Sequence, residues 1–320
     1  MSRTLPTPHG ADGAAPVLTY TPVVLPVKDR VVDLTVRVSA PATGGELPVI
    51  LLSHGHGPSG YVSSLYGYAP LADYYAAHGF VVVQPTHLDS ATLGRREADV
   101  AEAPTYWRSR ARDMSHIVDR LDTLESMVPG LHGRLDPGRV AVVGHSMGGH
   151  TASLLLGARL TDPTDGSVVS LADPRIRAGV MLAAPGRGGD ALTPFGEQNL
   201  AFLAGADFSA MTTPTLVVAG ADDASAHLTV AGPAWYADPY LLSPGAQAFL
   251  TLFDAEHSLG GVAGYDLAET TDENPERVAF VQRMTTAFLR SALDPGDPSW
   301  RTELAALAAE PHPLGRIETK

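Results

Sequence analysis

The sequence predicts an α/β protein built on a doubly wound, mostly parallel sheet with helices on both faces. Six continuous apolar runs rich in valine and leucine are typical of strands buried on both faces, and they fall at 48–55, 80–85, 139–146, 177–185, 213–220 and 248–257. Stretches with helical apolar spacing alternate with these runs, which implies parallel strands joined by right-handed crossovers. Such sheets bind ligands outside the carboxyl ends of their strands, so a functional site is expected at that edge.

The chain divides into a short segment and a domain. Residues 1–16 are rich in Pro, Gly and small polar residues, which predicts a flexible N-terminal arm, and residues 17–320 are expected to form a single domain. "VLTYTPVVLPV" and "RVVDLTVRVSAP" alternate apolar and polar residues and predict two antiparallel strands at the start of the sheet. Helices are expected in "SLYGYAPLADYYAAHG", "TYWRSRARDMSHIVDRLDTLESM", "GGHTASLLLGARL" and "NPERVAFVQRMTTAFLRSAL". Two long irregular segments, 186–212 and 224–245, are expected to act as lids or binding walls.

Composition excludes several classes of protein. The 320 residues carry a formal net charge of −13 and include no cysteine, which rules out disulfides, thiolate metal sites and a cysteine nucleophile. A negative field repels polyphosphates, so nucleic acid is not expected as a partner. No apolar run is long enough to span a bilayer, and the first residues lack the apolar core of a signal peptide. We expect a soluble cytoplasmic protein, or a secreted one if a signal peptide was removed, and the sequence leaves its oligomeric state open.

The segment "VAVVGHSMGGHTASLLLG" at 140–157 places a serine between a strand and a helix. Gly144, Ser146 and Gly148 form a G-x-S-x-G motif, and glycines are needed there because larger side chains would collide with the adjoining elements. The turn exposes the hydroxyl at the start of a helix, where free N–H groups favour negative charge. The pattern predicts that Ser146 is a nucleophile.

A serine nucleophile needs a base, and a histidine base needs a carboxylate that fixes its tautomer. His257 follows the last predicted parallel strand, at the binding edge of the sheet, and is the candidate base. Asp222 and Asp223 directly follow the preceding strand, and one of them is expected to be the acid. The order Ser, Asp, His, each placed after its own strand, favours a catalytic triad.

At these residues the chain resembles the α/β-hydrolase family, over roughly residues 20–292. The matching pieces are "SHGHG", "GHSMGG", "PTLVVAGADD" and "EHSLGG", and the early segment is most similar to dienelactone-hydrolase-like, chlorophyllase-like and platelet-activating-factor-acetylhydrolase-like esterases. The resemblance implies that the acid lies three residues after the strand-ending glycine, which favours Asp223. It also implies an oxyanion hole made of two backbone N–H groups, those of Met147 and of His56, with Gly57 as the alternative to His56.

A substrate pocket is expected near the strand ends. Six aromatic residues are candidates for its lining: Tyr61, Tyr66, Trp107, Phe195, Trp235 and Tyr240. An aromatic, uncharged pocket would favour a small to medium apolar or aryl ester. His54 and His56 form H-x-H, but no further ligand lies close by in the sequence, so neither a metal nor a cofactor is expected.

The sequence therefore predicts a serine esterase that acts on a small-molecule ester through an acyl-enzyme on Ser146. Three alternatives use the same triad, namely a thioesterase, an amidase and an acyltransferase. A non-catalytic binding protein on this fold is an alternative of a different class.

Overall fold

The computed structural model describes residues 14–100 and 102–320. The predicted N-terminal arm, residues 1–16, lies outside the described residues except for 14–16. Eleven strands are described over these ranges: β1 (Val17–Leu25), β2 (Leu34–Pro41), β3 (Leu47–Ser53), β4 (Val81–Pro85), β5 (Leu135–His145), β6 (Arg159–Thr161), β7 (Val168–Ser170), β8 (Ile176–Leu182), β9 (Thr215–Gly220), β10 (Ala246–Leu252) and β11 (Gly315–Thr319).

Nine of these strands form one sheet in the order β1-β2-β4-β3-β5-β8-β9-β10-β11, and β6 pairs with β7 in a separate hairpin. The six strands from β4 to β10 run parallel to one another, while β1, β2 and β11 pair antiparallel at the two edges. Over their continuous apolar runs the parallel strands are almost fully buried, as these runs predict, whereas residues 135–139 at the start of β5 are not buried. The predicted fold class is confirmed.

The helices cover both faces of the sheet: α1 (Ala69–Ala77), α2 (Trp107–Val118), α3 (Leu121–Met127), α4 (Met147–Leu156), α5 (Pro194–Leu200), α6 (Asp238–Leu242), α7 (Pro275–Leu293) and α8 (Ser299–Ala309). Helix α4 packs on β5 and β8 and against α2, whereas α1 and α7 pack together and α8 packs on α7. Within residues 14–100 and 102–320, no helix combines the length and the hydrophobicity that crossing a bilayer requires.

The register of the sheet brings the predicted site residues to one edge. Ser53 at the end of β3 pairs with Gly144, and Gly144 pairs with Met181 on β8. On the neighbouring strands, Gly220 at the end of β9 pairs with Leu252 at the end of β10. The chain leaves β3, β5, β9 and β10 at the same edge, because parallel strands in register end together.

The two long segments predicted to be irregular contain short helical elements. Segment 186–212 holds α5 and two 3₁₀ turns, and segment 224–245 holds a 3₁₀ turn and α6. The segments contact each other, since Leu192 bridges to Thr229 and the Thr193 hydroxyl donates to the carbonyl of His227 at 2.6 Å. The second segment reaches the serine with Ser225, His227 and Leu228.

The C-terminal part of the chain adds elements that the sequence does not predict. Helix α8 follows α7, and β11 then pairs along β10 at the edge of the sheet. The ammonium group of Lys320 donates to the carbonyl oxygens of Tyr240 and Ser243, which fixes the end of this strand against the loop before β10.

His150 is a buried polar side chain on α4 and provides a prediction about stability. Neither of its ring nitrogens has a hydrogen-bond partner among the described residues, and its ring lies 5.1 Å from that of Phe202. Burial, and then the charge of Arg110, lower the pKa of His150 to about 3. The folded protein thus keeps this ring neutral while the unfolded chain protonates it as the pH falls through 6.5, so unfolding gains protons and acid destabilises the fold.

We expect His150→Leu to raise the free energy of unfolding, because it removes an unpaired buried polar group that costs the folded state about 1–3 kcal/mol. The difference in free energy of unfolding between the variant and the wild type should grow by about 2 kcal/mol as the pH falls from 7.5 to 5, because only the wild-type unfolded chain takes up a proton at position 150. Urea unfolding at the two pH values measures the difference. The same substitution at the exposed His312 is the control, and an advantage of His150→Leu that shrinks towards acid would contradict the prediction.

Candidate active site

Ser146 sits in a strained backbone conformation, with φ 56° and ψ −121°, between β5 and α4. The flanking glycines are required by close backbone approaches. A Cβ on Gly144 would lie 2.0 Å from the carbonyl oxygen of Gly148, and a Cβ on Gly148 would lie 2.0 Å from that of Ser53. Both distances are well inside van der Waals contact, so the turn that exposes the serine cannot form with larger residues.

The three predicted side chains lie in a hydrogen-bonded row. The Ser146 hydroxyl is 2.9 Å from Nε2 of His257, and Nδ1 of His257 is 2.7 Å from Oδ2 of Asp223. An ionised carboxylate only accepts, so Nδ1–H donates to Asp223 and Nε2 accepts from the serine. This is the tautomer that a serine nucleophile needs from its base.

Asp223 rather than Asp222 contacts the histidine. The Asp223 side chain is 1% exposed, and its second oxygen accepts a hydrogen bond from the Ser225 hydroxyl at 2.8 Å. The Tyr236 hydroxyl in turn donates to Ser225 at 2.6 Å. His257 and Ser225 together hold both oxygens of the Asp223 carboxylate in place. Asp222, in contrast, is exposed, and its backbone N–H donates to the carbonyl of Ala255.

A second row of hydrogen bonds joins the loop after β3 to the loop that carries His257. The N–H of Gly55 donates to the Tyr68 hydroxyl at 2.9 Å, so Tyr68 donates its own proton to Nδ1 of His145 at 2.8 Å. His145 then carries its proton on Nε2, which donates to the carbonyl of His257 at 2.7 Å. Burial, and then the charge of His257, lower the pKa of His145 to about 3, which keeps the ring neutral.

We expect Tyr68→Phe to lower both stability and kcat. The change leaves the Gly55 N–H and Nδ1 of His145 unpaired, which costs about 1–3 kcal/mol of folding free energy. It also loosens the loop that carries His257, so kcat in an ester assay should fall. Tyr75→Phe is the matched control, because Tyr75 is equally buried and loses one hydrogen bond to Thr285 elsewhere in the core. Equal kcat values for the two variants would contradict a positioning role.

The two expected oxyanion donors have free backbone N–H groups. Neither the N–H of Met147, the first residue of α4, nor that of His56 donates to a protein acceptor within residues 14–100 and 102–320. The N–H of Gly57 is free in the same sense, so the alternative to His56 stays open. His56 and Gly57 both line a cavity that also contains Ser146 and His257.

A buried ionic cluster supports the end of β3. Asp89 accepts from Nη1 of Arg110 at 2.6 Å and from Nδ1 of His56 at 2.7 Å. Burial by itself would raise the pKa of Asp89, but Arg110 and His56 outweigh it and hold that pKa well below its usual range. Arg110 also donates to the carbonyl of His54 and, at 2.9 Å, to the Thr151 hydroxyl on α4. One guanidinium thus ties the loop after β3 to the helix after Ser146.

The two histidines of the H-x-H motif have separate partners. Nδ1 of His54 donates to the carbonyl of Gly55 at 2.7 Å and its Nε2 accepts from the N–H of His87, whereas His56 binds Asp89. Over the part of the chain that the structure describes, no three His, Asp or Glu side chains form a group suited to a metal ion.

The cavity beside Ser146 has a volume of about 300 Å³, and most of the surface that lines it is apolar. The six predicted aromatic residues are not among those that line it. Tyr61, Tyr66 and Phe195 are exposed, with about half of their surface in solvent. The other three are buried: Trp107 stacks on Phe202, Tyr240 stacks on Phe249, and Trp235 donates to the carbonyl of Arg187 at 2.6 Å.

This outcome corrects the choice of these six residues as the lining. Trp107, Trp235 and Tyr240 bury more surface in the core and between the two long segments than they would at the rim of a cavity. The other three rings lie on the surface outside the cavity. A larger cavity of about 520 Å³ borders the loop between β1 and β2 and contains none of Ser146, Asp223 and His257.

A mostly parallel nine-stranded sheet with helices on both faces, and a serine at the turn after its central strand, give this chain the α/β-hydrolase fold. Residues 18–170 match the Chlorophyllase family model. The resemblance to chlorophyllase-like members is therefore confirmed over this range, which includes Ser146 but ends before Asp223 and His257. The match indicates a hydrolase that acts on esters. No curated protein matches the chain.

Proposed function

We propose that this protein is a serine carboxylesterase that forms an acyl-enzyme on Ser146. One observation carries the proposal, the continuous row of hydrogen bonds from Asp223 through His257 to the Ser146 hydroxyl, with heavy-atom distances of 2.7 and 2.9 Å. Its position at the carboxyl edge of the sheet beside a cavity supports it, as does the match to an ester-hydrolase family.

In the mechanism, Nε2 of His257 takes the proton of Ser146 as the oxygen attacks the ester carbonyl. Asp223 holds the imidazole and stabilises its charge. The carbonyl oxygen becomes negative in the tetrahedral intermediate, and the N–H groups of Met147 and of His56 or Gly57 stabilise it. His257 then protonates the leaving alcohol, and a water molecule activated by the same histidine releases the acid.

The substrate in this proposal is a small to medium ester, since the cavity of about 300 Å³ lies at the small end of ligand sites. The preference for an apolar or aryl ester depended on an uncharged lining formed by the six predicted aromatic residues. None of the six lines the cavity and Glu269 does, so we do not extend that preference. The segment at 224–245 acts as one wall of the site through Ser225, His227 and Leu228.

The test is a panel of short-chain esters, thioesters and amides, run with the wild type and with Ser146→Ala, together with labelling by a fluorophosphonate probe. We expect ester turnover and labelling in the wild type and neither in the variant. Ester product in the presence of an added alcohol would indicate an acyltransferase, and faster thioester or amide cleavage would indicate those alternatives. Absence of both labelling and turnover in the wild type would favour a binding protein and overturn the proposal.

A further inference from the structure

Glu269 places a carboxylate at the cavity beside Ser146. It lies on the loop that follows His257, and its Oε1 accepts from the N–H of Ser59 at 2.7 Å. Its Oε2 is shielded from bulk water and has no hydrogen-bond partner among the described residues. The Glu269 side chain lines the cavity, so its negative charge acts on a molecule bound there even though Oε2 itself is enclosed.

His56 supplies a second acceptor. Its Nδ1–H is committed to Asp89 at 2.7 Å, and Asp89 is held by Arg110, so the neutral form of the ring has its remaining lone pair on Nε2. The side chain is 26% exposed and lines the cavity, which leaves Nε2 available to a ligand. The buried pair therefore presents an imidazole of fixed tautomer next to the serine.

Both acceptors flank Gly57. A Cβ on Gly57 would lie 2.8 Å from Oε1 of Glu269, so the carboxylate lies directly over this loop. Neither lysine nor arginine is found among the residues that line the cavity, and the whole chain carries a net charge of −13. The cavity thus combines acceptors with a negative local charge, which suits a cationic hydrogen-bond donor.

We propose that the site selects esters that carry a protonated amine, whose N–H group donates to Nε2 of His56 and whose positive charge is stabilised by the Glu269 carboxylate. The inference rests on the proposed function, because it specifies the substrate of the same site. It adds one feature, the protonated amine, to the class of small to medium esters.

The test compares esters of matched shape with and without the amine. On the alcohol side, 2-(dimethylamino)ethyl butyrate is paired with 3-methylbutyl butyrate. On the acyl side, butyl 3-(dimethylamino)propanoate is paired with butyl 4-methylpentanoate. The measured quantity is the ratio of kcat/KM for amine and neutral ester within each pair at pH 7. We expect a ratio of about ten or more for at least one pair, the size typical of a hydrogen bond with one charged partner.

Glu269→Gln separates recognition from structure, because the amide oxygen can still accept from Ser59 while an NH₂ donor replaces Oε2. We expect it to reduce the ratio about tenfold. His56→Asn retains a donor towards Asp89 and removes Nε2, so it should reduce the ratio as well. Asp266→Asn is the control, since it removes one exposed charge from the same loop outside the cavity and should leave the ratio unchanged.

The outcomes separate this inference from the proposed function. If the neutral esters are turned over and Ser146 is labelled by the probe, but neither amine ester is preferred, the inference fails and the esterase stands. A preference that persists in Glu269→Gln and in His56→Asn would also overturn it. If no ester is turned over and Ser146 is not labelled, the proposed function itself fails.

Discussion

Ser146→Ala should lower kcat for a short-chain ester by about four to six orders of magnitude while the protein remains folded. The reason is that the hydroxyl 2.9 Å from Nε2 of His257 is the atom that would carry the acyl group. Alanine fits the same backbone without a new clash, because it has the Cβ that serine already places at φ 56°. Steady-state hydrolysis and thermal unfolding of the same preparations measure the two quantities.

Ser153→Ala provides the matched control. Ser153 lies on α4, the helix that Ser146 precedes, and its buried hydroxyl donates to the carbonyl of His150 at 2.7 Å, away from the row that contains His257. Its variant should retain kcat near the wild-type value. A Ser146→Ala enzyme that keeps most of its turnover would refute the assignment of the nucleophile.

Asp223→Asn should lower kcat by about four orders of magnitude, and Asp222→Asn should have little effect. Oδ2 of Asp223 accepts the Nδ1–H of His257 at 2.7 Å, whereas the exposed Asp222 uses only its backbone at this edge of the sheet. An amide at position 223 can turn its NH₂ group towards Nδ1, which forces the imidazole into the tautomer that cannot accept the serine proton.

Kinetics of the two variants with one chromogenic ester decide between the adjacent carboxylates. Both substitutions remove a single negative charge from neighbouring positions, so a loss caused by the general field would be similar in the two. Comparable losses, or a larger loss for Asp222→Asn, would overturn the choice of Asp223.

The mostly parallel sheet was predictable because each central strand is a continuous apolar run, but the order of the strands within the sheet was not predicted. The strand-to-helix turn at Ser146 was also predictable from the sequence, because it needs glycines at fixed spacing. Strand β11 was not predictable from its sequence pattern. Its sequence, "GRIET", is mostly polar, because an edge strand buries only part of its surface and carries no continuous apolar signal.

The parts of the site that sequence reasoning missed are contacts between distant segments. Tyr68 and His145 are 77 positions apart, and Glu269 reaches Ser59 across 210 positions. Each residue alone is compatible with an ordinary core or surface role, and no local pattern pairs them. The glycine at 57 is the one local signal, since it permits the carboxylate to lie over the loop.

The six aromatic residues were predicted from the sequence to line the cavity, and none of them does. Their positions near strand ends pointed to a cavity, but side-chain size and burial decided where they lie. Trp235, for example, is buried where segments 186–212 and 224–245 meet and binds the carbonyl of Arg187. Sequence position identifies the edge of the sheet, whereas the choice of side chain for a cavity wall depends on packing between segments.

The pairing of β11 with β10 connects residues 315–319 to the strand that precedes His257. Deleting residues 315–320 would uncover the backbone donors and acceptors along one side of β10, the strand that leads directly to His257. An unpaired edge strand can pair with a strand of another chain, so the truncated protein should self-associate, which size-exclusion chromatography would measure. It should also lose turnover, because β10 leads to His257. A truncated protein that stays monomeric and fully active would show that these last residues are dispensable to both.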